Sequence, residues 1–217
     1  MSVKMKLQLS LDMVDLDEAF ADIEATKDSV DIIEVGTPFA LRCGVQAITS
    51  IKERYPDKEV LADYKIMDGG DYEASMAFVA GADIVTVLGV ANDATLSGAV
   101  SAAKRCRGKI MVDLMGMNEL AKRISPIEKL EVDYLCIHTA IDGRNSLRGA
   151  FSDLMLAKQT VTTAKLAIAG GLNIHNIAQA VHYRPDVVIV GAGITAEADK
   201  TQAAAGIKQK LREAENG

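Results

Sequence analysis

Tryptophan is absent from this chain of 217 residues, and aromatic residues make up only 4% of it. A core built with so few rings must be packed from Val, Ile, Leu, Ala and Met. No block of Lys or Arg stands out and the net charge is -6, which argues against binding nucleic acid through a basic face. An acidic chain that binds a phosphate must do so locally, with backbone amides or a metal. The three cysteines, Cys43, Cys106 and Cys136, form no C-x-x-C pair and no metal-like spacing. They fit a reduced protein better than a disulfide scaffold. No stretch approaches the roughly 18 apolar residues of a membrane span, and the opening MSVKMKLQLSLD has no long apolar signal core. The expectation is a cytoplasmic protein with no membrane partner. Neither a P-loop nor a GxGxxG after the first strand is present, so no nucleotide is implied. No Pro- or Ser-rich linker divides residues 1–217, and a single domain is expected.

What the chain does contain is a repeat. Apolar runs recur at 5–11, 30–35, 58–63, 83–88, 109–114, 132–137, 165–169 and 186–190. Each interval leaves room for one strand, one helix and two short loops. Between the runs, residues 15–27 place Leu16, Ala19, Phe20 and Ile23 at helical spacing. Residues 40–54 do the same with Leu41, Val45, Ile48 and Ile51, and 174–182 and 198–213 look similar. Eight such units predict a single-domain α/β fold, a (β/α)8 TIM barrel. A doubly wound open sheet uses the same local code, and periodicity does not separate the two.

The ends of the runs separate polar chemistry from decoration. They read Ser10-Leu11-Asp12, Glu34-Val35-Gly36-Thr37, Asp63-Tyr64-Lys65, Val112-Asp113 and Ile137-His138-Thr139, then Ala169-Gly170-Gly171 and Val190-Gly191-Ala192-Gly193. An acid, a base or a glycine closes seven of the eight runs. In such a barrel, chemistry sits where strands lead into helices, so one convergent site is expected. Asp63 and Lys65 are two apart on an extended segment and should share its inner row. A carboxylate and an ammonium there are costly to desolvate unless paired. Glu34 and Asp63, from neighbouring strands, suit Mg2+, which takes oxygen ligands and keeps waters; Mn2+ would fit the same set. An ion pair of Glu34 with Lys65, with no metal, stays open at this point. His138 is the only histidine at a strand end and suits acid–base work. The glycines of the last two turns suit a phosphate cradled by amides.

The motif Asp63-x-Lys65-x-x-Asp68, with DIIEVGTP, GADIVTVLG and the two Gly turns, resembles the orotidine 5′-phosphate decarboxylase superfamily over nearly the whole chain. The resemblance implies a Mg2+ site with Glu34 and Asp63 near the metal, and Lys65 stabilising an enediolate oxygen. It implies Asp68 contributed across a homodimer interface, Asp12 and Asp113 orienting substrate hydroxyls or Lys65, and His138 moving protons. Thr37, Gly170, Gly171, Gly191 and Ala192 would contact a sugar phosphate. Two branches of the superfamily run through such an enediolate. One adds formaldehyde to ribulose 5-phosphate; the other decarboxylates 3-keto-L-gulonate 6-phosphate. In the decarboxylating branch an Arg follows the strand-six His by three residues, where this chain has Ile141. That branch also tends to Glu at the strand-five end and Gly-Arg after strand eight, against Asp113 and Gly191-Ala192 here. These differences point to the aldol branch. They also leave phosphate binding to backbone amides unless Arg144 or Arg148 reaches the site. A non-catalytic sugar-phosphate binder is the reading from another class, and the costly charge cluster argues against it.

Overall fold

In the computed structural model, which describes residues 4–12, 15–140 and 147–216, eight parallel strands close into a barrel in the order β1 to β8. The strands are β1 (Lys6–Leu11), β2 (Ile32–Val35), β3 (Glu59–Ile66), β4 (Ile84–Leu88), β5 (Lys109–Asp113), β6 (Tyr134–His138), β7 (Lys165–Ala169) and β8 (Val187–Val190). Around them run α1 (Leu16–Thr26), α2 (Thr37–Cys43), α3 (Gln46–Arg54), α4 (Gly70–Val79), α5 (Asp93–Cys106), α6 (Leu120–Glu128), α7 (Leu147–Thr160), α8 (Ile177–Val181), α9 (Ala192–Thr195) and α10 (Lys200–Asn216). Closure by pairing of β1 with β8 removes the open-sheet alternative.

Alternation along each strand builds two cores. Leu7, Leu9 and Leu11 point outward and pack with Ile33, Val35, Val60 and Ala62 against the helices. Ile32, Leu61, Ile84, Met111, Tyr134 and Ile189 point inward and fill the lumen. Glu59 closes the N-terminal end of that lumen by pairing with Lys6 and, at 2.7 Å, with Lys109.

An aspartate just ahead of every even strand ties it to the odd strand before. Asp31, Asp83, Asp133 and Asp186 accept the backbone N–H of Leu7, Val60, Ile110 and Leu166 at 2.8, 2.7, 2.9 and 2.8 Å. Strand N-termini expose amides without ladder partners, and these carboxylates satisfy them. Asp83 and Asp186, the first residues of two of the apolar runs, are two of this set.

One helix differs from expectation. The segment 40–54 is two helices, because Gly44 takes a φ of 62° and ends α2. Ile48 and Ile51 of α3 are buried as the periodicity predicts, but Leu41 is 84% exposed and Val45 40%. The break turns those two away from the core.

Candidate active site

The third strand carries the centre of the site. Ala62 pairs with Val85 and Ile66 with Val87, so four residues of β3 span two of β4. The extra length is absorbed at Lys65, whose φ of 47° is left-handed and uncommon for a side-chain-bearing residue. Thr86 lies opposite the bulge and stitches it. Its hydroxyl donates to Asp63 Oδ1 at 2.8 Å and accepts the Lys65 N–H at 2.9 Å. Strain of this kind costs about 1–2 kcal/mol and is found where a side chain is held for a task.

The bulge aims the Lys65 ammonium back over the lumen. It pairs with Asp63 Oδ2, donates to Thr37 Oγ1 at 3.2 Å and lies 3.9 Å from Asp113 Oδ2. Burial works against its charge, yet the Asp63 carboxylate, then Asp113 and Glu34, outweigh that and raise its pKa above the usual lysine value. Lys65 is therefore a fixed cation. Thr37 opens α2 and is turned onto Asp63, its hydroxyl 2.7 Å from the Asp63 carbonyl oxygen and 3.0 Å from Oδ2. Its hydroxyl is engaged with the charge cluster.

Glu34, one strand over, is buried and held from β1. Gln8 Nε2 donates to its Oε2 at 2.6 Å, and the Ser10 hydroxyl sits 2.9 Å from its Oε1. The same hydroxyl lies 3.2 Å from Asp12 Oδ2, placing Asp12 at the rim beside Glu34. Burial, then the charge of Asp63, pushes the Glu34 carboxyl up to about 8. Across the mouth, His138 Nδ1 is 2.7 Å from Asp113 Oδ2, and Asp113 Oδ1 accepts the Met115 N–H at 2.9 Å. Burial lowers the imidazole's basicity, but the hydrogen bond and charge of Asp113 prevail and leave the pKa raised. That bond engages Nδ1 with the carboxylate. Gln8, Glu34, Asp63, Thr86, Asp113, Cys136 and His138 line one cavity.

The donor set fits a hydrated divalent cation. Glu34 and Asp63 are two crowded carboxylates whose mutual repulsion is unmet by Lys65 alone. Among the described residues no group of three or more His, Cys, Asp or Glu forms a protein-only metal cage. Mg2+ needs none, since it is held by one or two carboxylates and keeps waters.

The glycine turns after β7 and β8 lie backbone against backbone. Gly170 and Gly171 have φ of 102° and 68°, and a Cβ on Gly170 would stand 2.4 Å from the Thr139 carbonyl oxygen. One on Gly193 would meet the Leu172 carbonyl at 2.2 Å, while Gly191 caps the single turn of α9 that begins at Ala192. Asp68 does not join its own chain's cluster. It is exposed, and its Oδ1 accepts the Gly69 N–H at 2.8 Å. Ile141 and Arg144 lie outside the described residues, as does the side chain of Arg148.

Sequence reasoning missed Thr86, the bulge and the part played by Gln8 and Ser10. The signal was present but weak: Gln8 and Ser10 alternate with leucines in LQLSL, and Thr86 is the one hydroxyl in IVTVL.

Comparison with known proteins bears on the fold and the family. A 3-hexulose-6-phosphate synthase of Bacillus subtilis (strain 168) is 44% identical over 207 residues, covering 95% of this chain and 99% of the relative. The solved structure of 3-hexulose-6-phosphate synthase from Salmonella typhimurium matches with a TM-score of 0.94 at 44% identity, over 97% of this chain and 100% of that one. That of 3-keto-L-gulonate-6-phosphate decarboxylase from Vibrio cholerae O1 biovar El Tor str. N16961 matches at 0.82 and 28% identity, over 97% and 98%. Residues 5–207 fit the family model described as orotidine 5'-phosphate decarboxylase / HUMPS. With the barrel, the Asp63-Lys65 bulge and these likenesses in agreement, the chain belongs to the orotidine 5'-phosphate decarboxylase / HUMPS family.

Proposed function

We propose that this chain is a lyase that adds formaldehyde to D-ribulose 5-phosphate to give 3-hexulose 6-phosphate. The observation that carries the chemistry is the meeting of Lys65, the Glu34/Asp63 pair and the Asp113-held His138 at one barrel mouth. The choice of aldol addition rests on the 44% identity to relatives named 3-hexulose-6-phosphate synthase.

His138 Nε2 takes a proton from C1 of the pentulose phosphate, and Asp113 stabilises the imidazolium that forms. The electron pair left behind spreads over C1, C2 and the C2 oxygen as an enediolate. Lys65 is charged and already in place where that negative charge develops, so no reorganisation is needed. C1 then forms its bond to formaldehyde, and the new alkoxide takes up a proton. Glu34 and Asp63 would hold Mg2+, which supplies Lewis-acid stabilisation of substrate oxygens when bound. Thr37 and Thr86 keep Asp63 aligned, while the amides of the Gly170-Gly171 and Gly191-Ala192 turns bind the phosphate.

The protein works as a homodimer in this reading, with Asp68 reaching the partner's mouth. Support comes from α4, where Tyr72, Met76 and Val79 form an exposed stripe (72%, 44% and 84%); Met67, just ahead of α4, and Leu41 on α2 are exposed too. An apolar stripe of that kind, next to Asp68, suits a second copy of the chain.

Consumption of formaldehyde with ribulose 5-phosphate, lost on adding EDTA, is the expected result. The likeness to the Vibrio cholerae decarboxylase favours a second reading, release of carbon dioxide from 3-keto-L-gulonate 6-phosphate. Faster turnover of that substrate would replace the first reading with the second. Binding of sugar phosphates with no turnover of either would sink both.

A further inference from the structure

Gln8 is fully buried, 0% exposed, in a lumen otherwise filled by residues such as Ile32, Leu61 and Met111. A carboxamide among aliphatic side chains is costly unless both of its ends are hydrogen-bonded. Its nitrogen end is accounted for by the 2.6 Å bond to Glu34 Oε2. Once Glu34 is ionised, as a cation ligand must be, only the amide nitrogen can face it, since the opposite orientation would set oxygen against oxygen. The carbonyl oxygen is then left over. Among the described residues, Gln8 Oε1 is the buried side-chain polar atom that has no partner.

The surroundings explain why no protein donor reaches it. The Thr86 hydroxyl is committed to Asp63, Lys65 to Asp63 and Thr37, and Ser10 to Glu34 and Asp12. Gln8 nevertheless lines the same cavity as Glu34, Asp63 and Asp113, and that cavity leaves about 20 Å3, room for a water-sized species. An acceptor-rich pocket with a free acceptor at its edge calls for a donor brought from solvent. The waters that Mg2+ retains are such donors.

We propose that Gln8 is a positioning residue of the divalent-cation site. Its N–H holds Glu34 in the orientation that ligates, and its carbonyl oxygen accepts a hydrogen bond from a water of hydration of the cation. This rests on Glu34 and Asp63 forming that site. Ser10 supports the other oxygen of Glu34 from the same strand, so β1 sets the ligand's angle from two points. Outer-shell partners of this type are worth about 10- to 100-fold in metal affinity.

The test is calorimetric titration of Mg2+ into the metal-stripped, substrate-free protein, beside Gln8→Leu and Gln8→Met, with melting of each in EDTA. Both variants should bind Mg2+ at least about 10-fold more weakly. In EDTA they should melt close to the parent, because the substitution removes one buried orphan acceptor, Gln8 Oε1, while leaving Glu34 Oε2 without its donor. Parental Mg2+ affinity in a folded variant overturns the proposal and leaves the cation site standing. So does failure of both variants to fold, which would make Gln8 a core residue only. A parent that binds no Mg2+ overturns the cation site itself, and this inference with it.

Discussion

Replacing Glu34 by glutamine should stabilise the metal-free protein while destroying its cation site. The Glu34 carboxyl is pushed from 4.5 up to about 8, by burial first and the Asp63 charge second. Below pH 4.5 the folded and unfolded chains both carry the proton, so Glu34 adds no pH dependence. Between 4.5 and 8 the unfolded chain releases it while the folded chain keeps it, and stability falls as pH rises. Above 8 both are ionised and the whole penalty is present. At about 1.4 kcal/mol per pH unit, that penalty is on the order of 5 kcal/mol. Glutamine keeps the shape, carries no charge and can exchange hydrogen bonds with the Gln8 amide and the Ser10 hydroxyl. A chain of this length gains about 2–4 °C per kcal/mol. Allowing for imperfect pairing of the new amide, Glu34→Gln should melt about 5–10 °C above the parent at pH 8.5 in EDTA. The gap should nearly close at pH 5. Mg2+ should raise the parent's melting temperature at pH 8.5 and leave the variant's unchanged. Parallel melting of the two proteins at both pH values would refute the reasoning, because it would mean that Glu34 is not held against its charge.

Lys65→Ala should lower kcat for formaldehyde consumption by at least about 100-fold with an unchanged circular dichroism spectrum; retained turnover would remove Lys65 from the chemistry. Asp113→Asn should lower the pKa of His138, since the carboxylate is what keeps it raised against burial. Proton NMR can follow this directly, as the chain has only three histidines, and an unshifted His138 titration would contradict it. Glu128 accepts the N–H groups of Thr162, Thr163 and Ala164 at 3.0, 2.7 and 2.9 Å. Burial opposes its charge, but these bonds bring its pKa down to about 2. Its contribution is thus present above pH 4.5 and lost as pH falls toward 2. Glu128→Ala should cost about 1 kcal/mol at pH 7, after allowing for its exposure, and the deficit should vanish in acid denaturation below pH 2.

The barrel was legible because its signals are local. Strand and helix periods differ, and each unit repeats them within one short window. The eight runs of the sequence correspond to the eight strands, and Asp12, Glu34, Lys65, Asp113 and His138 sit at or beside strand ends, where the sequence puts them. The prediction of one helix over 40–54 failed for a local reason that periodicity overlooks: a single glycine with positive φ restarts the helix and rotates its face. Thr86 and Gln8 escaped notice for a non-local one. Their roles come from neighbours on adjacent strands, Asp63 and Glu34, which lie 23 and 26 residues away in sequence.

The sequence by itself determined the family, the repeat and the inner-row charges, since these depend only on residue identity and period. Tertiary structure alone decided how those charges meet. Closure of β8 onto β1 excludes the open sheet, and the β3 bulge, stitched by Thr86, lets Lys65 fold back onto Asp63. Burial, which no single window records, is what raises the Glu34 carboxyl and strands the Gln8 carbonyl beside it. Desolvation depends on everything packed around a group, and it becomes definite only when the barrel closes.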